Sequence, residues 1–126
     1  MKQKNKHIFV FGIFAVDLSF YVDKKVKSGE TIIAKSSNIG PGGKASNQAI
    51  SARKLGASTT LITRLGNDNF NSYAHDIWRR EKLFASTTID KNLPTGMAGI
   101  FIDDKTGENS VIVDPGASAH LSIDDF

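Results

Sequence analysis

Gly40-Pro41-Gly42-Gly43-Lys44-Ala45-Ser46-Asn47 is the stretch whose reading decides the fold. Glycines at 40, 42 and 43 let the backbone come close to a small polar ligand. Lys44 and Asn47 then follow at the spacing of a helix's first turn. Unpaired N–H groups at a helix N-terminus, joined by a cation and an amide, make a site for hydroxyls or an anion. Downstream, Ala45, Ala49 and Ala52 share one helical face with Ile50 and Leu55 beside it, and Gly56 stands where a C′ glycine ends a helix. Small residues on that face predict close packing against a sheet.

Outward from this segment the periodicity switches regularly. Ile8-Phe9-Val10-Phe11 is a continuous apolar run closed by Gly12, which predicts a buried strand. Thr31 to Lys35, after the turn signal Ser28-Gly29, predicts a second strand, and Thr59 to Leu65 a third. Asn67, Asp68 or Asn69 can cap a helix whose buried stripe is Phe70, Tyr73, Ala74, Ile77 and Trp78, with Asp76 and Arg80 as an i,i+4 pair on its wet side. Ser86 to Ile89 reads as a strand. Met97 to Asp103 and Asn109 to Asp114 read as a hairpin about Asp104-Lys105-Thr106-Gly107-Glu108. Strands alternating with helices predict an α/β fold with parallel pairing, and the extra strands predict a smaller β unit to one side.

Composition narrows the function classes. The 126 residues suit one domain, with 40% hydrophobic and 23% charged residues. The net charge of +3 is mild and owes part of its size to Lys2, Lys4 and Lys6, a solvated tail rather than a nucleic-acid or membrane contact. With no cysteine, disulfides and thiolate metal sites are excluded. No apolar run reaches the roughly 18 residues of a membrane span, and the run at Ile8 is too short for a signal-peptide core. A cytoplasmic protein is the expectation. His7, His75 and His120 show no metal-ligand spacing, and Asp103-Asp104 belongs to a solvated hairpin end.

Several motifs compete for the glycine segment. A Walker A loop needs G-x-x-x-x-G-K-[ST]; with Gly43-Lys44 in place, Asn38 and Ala45 break it at both ends. Gly40 to Ala45 fits the letters of a dinucleotide fingerprint, G-x-G-x-x-A. That reading lacks its acidic residue on the next strand, where Arg64 stands, so it survives only in a form accepting a 2′-phosphate.

A third pattern runs along the whole chain. Gly42-Gly43-Lys44-Ala45-Ser46-Asn47-Gln48-Ala49 resembles the glycine-rich signature of the ribokinase-like carbohydrate kinases, the phosphofructokinase-B type. Gly12 to Asp17 is similar to the family's first-strand segment, which ends in a substrate-binding Asp, and Gly29-Glu30-Thr31 to the start of its lid strand. Leu65-Gly66-Asn67-Asp68, Thr95-Gly96, Gly107-Glu108-Asn109 and Pro115 to Ala119 follow in the family's order.

The resemblance implies the N-terminal part of a parallel-sheet α/β sandwich, plus a small β-sheet lid with strands within 18–38 and 95–114. The lid closes over the sugar and often serves as a dimer interface. The implied activity is transfer of the ATP γ-phosphoryl group to a ribose-like pentose or related carbohydrate, with Mg²⁺. Carried over by position, the sugar-binding residues are Ala15, Asp17, Gly42, Gly43, Lys44 and Asn47. Asp17 would accept from two neighbouring hydroxyls, Gly42 and Gly43 would admit the sugar, and Lys44 and Asn47 would donate.

Departures carry information too. Ala15 replaces the Asn typical two positions before the substrate Asp, losing one amide contact. Ala45-Ser46 replaces Gly-Ala, and Asn71 stands where Gly usually follows Phe70. No segment resembles the family's Gly-Ala-Gly-Asp motif, which carries the catalytic base, nor its ATP- and Mg²⁺-binding half. Ser122-Ile123-Asp124-Asp125 reads as a capping box opening a helix just before Phe126. The expectation is a portion of a longer kinase, inactive alone and prone to aggregate through an open sheet edge and an uncovered apolar face. A non-catalytic sugar-binding or dimerisation module is the alternative.

Overall fold

The computed structural model describes residues 6–126, so Lys2 and Lys4 lie outside the described residues. Two sheets divide the strands. The first is parallel throughout and ordered β1-β4-β5, with β1 at His7–Phe11, β4 at Ser58–Gly66 and β5 at Phe84–Asp90. The second is mixed and ordered β3-β2-β6-β7, from Ser36–Gly42, Ala15–Val22, Met97–Asp103 and Asn109–Asp114. Within it β2 runs parallel to β6, while β3 and β7 are antiparallel outer strands.

Helices α1 (Lys44–Lys54) and α2 (Asn69–Arg80) follow β3 and β4. Both contribute to one apolar core with β4: Ala45 and Ala49 of α1, Ala74, Ile77 and Trp78 of α2, and Leu61 and Leu65 of β4, joined by Phe14 and Val16. The alanines on α1 let its backbone settle close to the sheet. Trp78 Nε1 donates to Ser46 Oγ at 3.2 Å and packs edge-on against Phe14, with ring centroids 5.2 Å apart. The bulk added by Ser46 is thus used to satisfy a buried indole. Helix α1 ends as expected, with Gly56 at φ +89°.

Four sequence expectations need correction. The β1 run is largely exposed, with Phe9 62% accessible, because both helices cover the same face of the parallel sheet. Phe9 and Phe11 alternate onto the uncovered face, where Phe11 stacks on Phe126. Thr31 to Lys35 forms no strand. Pairing with β2 begins only at Ser36, opposite Tyr21, and Ile33 stands 95% exposed. Leu55 is 89% exposed rather than beside the buried stripe. Asp76 pairs with Arg79, three residues on, at 2.7 Å, while Arg80 Nε donates to the Asp76 carbonyl.

Strand β4 is central and buried on both faces, threonines included. Thr63 is fully buried and its Oγ1 has no hydrogen-bond partner. Thr63→Val is therefore expected to stabilise the protein by about 1 kcal/mol, since an unpaired buried hydroxyl costs ~1–3 kcal/mol. A higher urea midpoint at unchanged slope would show it. No described helix is long and apolar enough to cross a membrane.

Candidate functional site

The chain enters the site twice. First, Gly12 to Ala15 leads into β2, where Asp17 lies two residues along on the face of Ala15. Second, β3 delivers Gly42 opposite Ala15, and Gly43 becomes the N-cap of α1. The glycine segment is therefore not all loop: Gly40, Pro41 and Gly42 belong to a strand antiparallel to β2. That placement removes the dinucleotide reading, which requires a tight turn from a parallel strand into a helix. Arg64 is committed elsewhere, to Asp125 at 3.0 Å and Asp90 at 3.7 Å, rather than held for a 2′-phosphate.

The glycines at 42 and 43 answer to specific neighbours. A Cβ on Gly42 would stand 2.2 Å from Asp17 Oδ1, so the Asp17 carboxylate occupies the space a side chain would take. Gly43 sits at φ +89°, and a Cβ there would meet the Ile13 carbonyl oxygen at 2.3 Å. Only glycine allows α1 to start there. No side chain caps the helix and no acidic residue lies in its first turn, so its leading N–H groups are left for another acceptor.

These features line a cleft of about 590 Å³ between the mixed sheet and the start of α1. Of the six residues expected from the sequence, Ala15, Asp17, Gly43, Lys44 and Asn47 line it directly. Gly42 lies behind, against the Asp17 carboxylate. Lys44 and Asn47 are exposed at its mouth and joined by Gln48, which sequence reasoning missed. Asp17 is half-buried and no described residue donates to its carboxylate, so burial pushes its pKa above the ordinary 3.8. Its oxygens are therefore free to accept hydrogen bonds from outside the described residues.

Sequence reasoning also missed the apolar wall. Asp17, Ala98 and Val113 form one cross-strand row, and Ile100 and Val111 stand opposite each other in the next. Alternation along 97–103 and 109–114 separates two faces, but only the packing shows which faces the cleft. A further knot holds the site from behind. Asp68 Oδ1 accepts from Asn71 N–H, capping α2, and from Thr95 Oγ1 at 2.8 Å; Oδ2 accepts from Thr95 N–H at 2.7 Å. Burial raises the Asp68 pKa, but hydrogen bonds donated by Thr95, Asn71 and Phe70 outweigh it and hold the carboxyl below 3.8. Thr95 Oγ1 in turn accepts from Gly66 N–H, tying the end of β4 to the start of β6.

Residues 5–126 match the pfkB family of carbohydrate kinases. The chain belongs to that family. It is 35% identical over 120 residues to a ribokinase of Dictyostelium discoideum and 36% identical over 122 residues to a deoxyribokinase of Salmonella typhi. Each alignment covers 94% of this chain, but only 37% and 39% of the respective relative. A solved ribokinase structure from Giardia lamblia superposes with a TM-score of 0.87 at 29% identity, over 94% of this chain and 38% of that one. The ribokinase-like α/β fold expected from the sequence is therefore shown, and this pfkB-family chain spans under two fifths of the length of each of these three proteins.

Proposed function

We propose that this chain is the sugar-binding part of an ATP-dependent kinase that phosphorylates a ribose-like pentose or related carbohydrate. The observation that carries the reading is the unpaired Asp17 carboxylate packed against Gly42 and facing the uncapped start of α1. Asp17 accepts from two neighbouring sugar hydroxyls. Gly43 lets the ring approach the backbone, and Lys44 and Asn47 donate from the helix's first turn. The mixed sheet acts as the lid. Together these groups orient the hydroxyl that receives phosphate and shield it from water.

ATP supplies the phosphoryl group, and phosphoryl transfer also needs a base and a cation to offset charge. Among the described residues no three His, Asp or Glu side chains gather as a cation site. Those groups are assigned to the portion of the relatives' length that this chain does not span. The 126 residues alone are expected to bind sugar without turning it over. We also propose that two copies associate through the outer face of the mixed sheet, where Ile39, Phe20 and Ile112 are exposed. Light scattering at micromolar concentration that reports only monomer would sink this second proposal.

The decisive assay is ADP release from MgATP across a panel of pentoses and hexoses. It is run on this chain and on the chain extended through its natural reading frame. Turnover in the extended protein alone supports the reading; turnover in neither, with a sugar raising the melting temperature of the short chain, points to a binding module. Sugar affinity should weaken as pH falls through the raised pKa of Asp17, because protonation removes the acceptor. A flat affinity from pH 7 down to pH 3.5 would remove Asp17 from the contact.

A further inference from the structure

The outer face of the mixed sheet, opposite the cleft, holds a second cavity of about 220 Å³ at the end where β6 turns into β7. Phe101 forms its floor, stacked on Phe20 with ring centroids 6.1 Å apart, and buried Val22 lies beside it. Lys25 and Val26 come over from the segment that follows β2, while Asp103 and Glu108 flank the turn. This end lies about 13 Å along the strands beyond the row of Ile39 and Ile112, so it is distinct from a contact between copies centred on those residues.

The two walls are tied to each other. Lys35 Nζ bridges Asp23 at 2.9 Å and Asp104 at 2.6 Å, and Asp104 N–H donates to the Val22 carbonyl at 2.9 Å. The N–H groups of Lys105 and Thr106 donate to Asp103 Oδ1 at 2.9 and 3.1 Å, which holds that carboxyl below 3.8 and leaves Oδ2 without a partner among the described residues. Neighbouring lysines are already paired, Lys24 with Glu30 and Lys35 with its two aspartates. Lys25 and Glu108 differ. Among the described residues neither charged end meets an ion-pair or hydrogen-bond partner, although both line one cavity. A cation and two carboxylates kept apart over an apolar floor complement a molecule that carries both charges and an apolar body.

We propose that this cavity binds a free α-amino acid with an apolar side chain. Its ammonium group donates to Asp103 and Glu108, its carboxylate accepts from Lys25, and its side chain rests on Phe101, Val22 and Val26. The cavity is smaller than the roughly 300–1,000 Å³ of a drug-sized site, which suits so small an occupant. The inference is independent of the sugar-kinase reading.

The test is titration of the protein extended through its natural reading frame with leucine, leucinamide, N-acetylleucine and glycine, followed by calorimetry and by NMR shifts. Leucine should saturate with a Kd of about 1 mM or tighter, with shifts centred on residues 22–26 and 101–110. The other three each lack one contact and should bind about ten-fold more weakly. Lys25→Gln should remove the advantage of leucine over leucinamide, and Glu108→Gln its advantage over N-acetylleucine. No saturable binding of leucine overturns the inference. Leucinamide binding as tightly as leucine overturns it too, leaving a cation site only, as does unchanged leucine affinity in both folded variants. Both side chains are exposed, so the variants should fold. Should a melting temperature show otherwise, the ranking of the four ligands on the unaltered protein decides.

Discussion

Asp17→Ala in the full-length protein is expected to lower kcat/KM for the sugar roughly 100- to 1,000-fold, and Gly42→Ala to do nearly the same. The first change removes the one carboxylate that, among the described residues, lines the cleft. Hydrogen bonds to a charged acceptor are each worth about 1.5–3 kcal/mol, and two hydroxyls lose theirs together. The second change leaves that carboxylate in the chain but displaces it. The new methyl would stand 2.2 Å from Asp17 Oδ1 and 2.4 Å from its Cγ, so the side chain must swing away. Gly42 lies in a strand without a positive φ, so the backbone tolerates Ala and the effect is confined to the site.

Because both substitutions act through one group, their effects should not add. The double variant should lie close to Asp17→Ala alone. Steady-state kinetics on the three proteins, with melting temperatures as controls, would check this. Full activity in Asp17→Ala would remove the site assignment. Full activity in Gly42→Ala alone would mean that the close approach of β3 to Asp17 has no functional consequence.

The largest effect on stability is expected from Asp68→Ala, at about 3 kcal/mol, a fall in melting temperature of roughly 10 °C. The N-cap of α2 accounts for about 1 kcal/mol of this. The rest comes from Thr95, which is fully buried and would be left with its N–H and hydroxyl hydrogen unpaired, at about 1–3 kcal/mol. Thr95→Val should cost less than Asp68→Ala but still be damaging, since it orphans Gly66 N–H and strips one donor, the Thr95 hydroxyl, from the Asp68 carboxylate.

The sign with pH follows from the depressed pKa of Asp68. Its stabilisation is complete above the ordinary carboxylate value of 3.8 and is lost as pH falls through the lower folded value. Asp68→Ala should therefore lose less stability on acidification than the unaltered protein does. Urea unfolding at pH 7 and at pH 3 would measure both, and equal acid sensitivity in the two proteins would contradict the role assigned to Asp68.

Local chemistry explains what was legible early. The helix over 44–54 follows from alanine spacing and the C′ glycine at 56, and Asp68 was among the caps expected for α2. The hairpin over 97–114 follows from two β-rich runs about a Gly-containing turn. Each depends on residues within a turn or two of one another, where propensity and capping act directly. The capping box at Ser122 was also legible, though it closes a short 3₁₀ turn (Ile123–Asp125) rather than a long helix. Its Asp125, with a side chain only 1% exposed, anchors that turn to Arg64.

By itself the sequence determined the ribokinase-like family pattern, both helices, and the strands over 59–65, 86–89 and 97–114. Tertiary structure alone decided that Phe9 faces outward, because a strand's burial depends on which sheet face the helices cover, and both chose the same one. It also decided that Gly40 to Gly42 is a strand, since pairing depends on β2, more than twenty residues away in sequence. The apolar wall of Ala98, Ile100, Val111 and Val113 became visible only there as well. Alternation defines two faces of a strand, but nothing local says which one will look into a cleft built by another sheet and a helix.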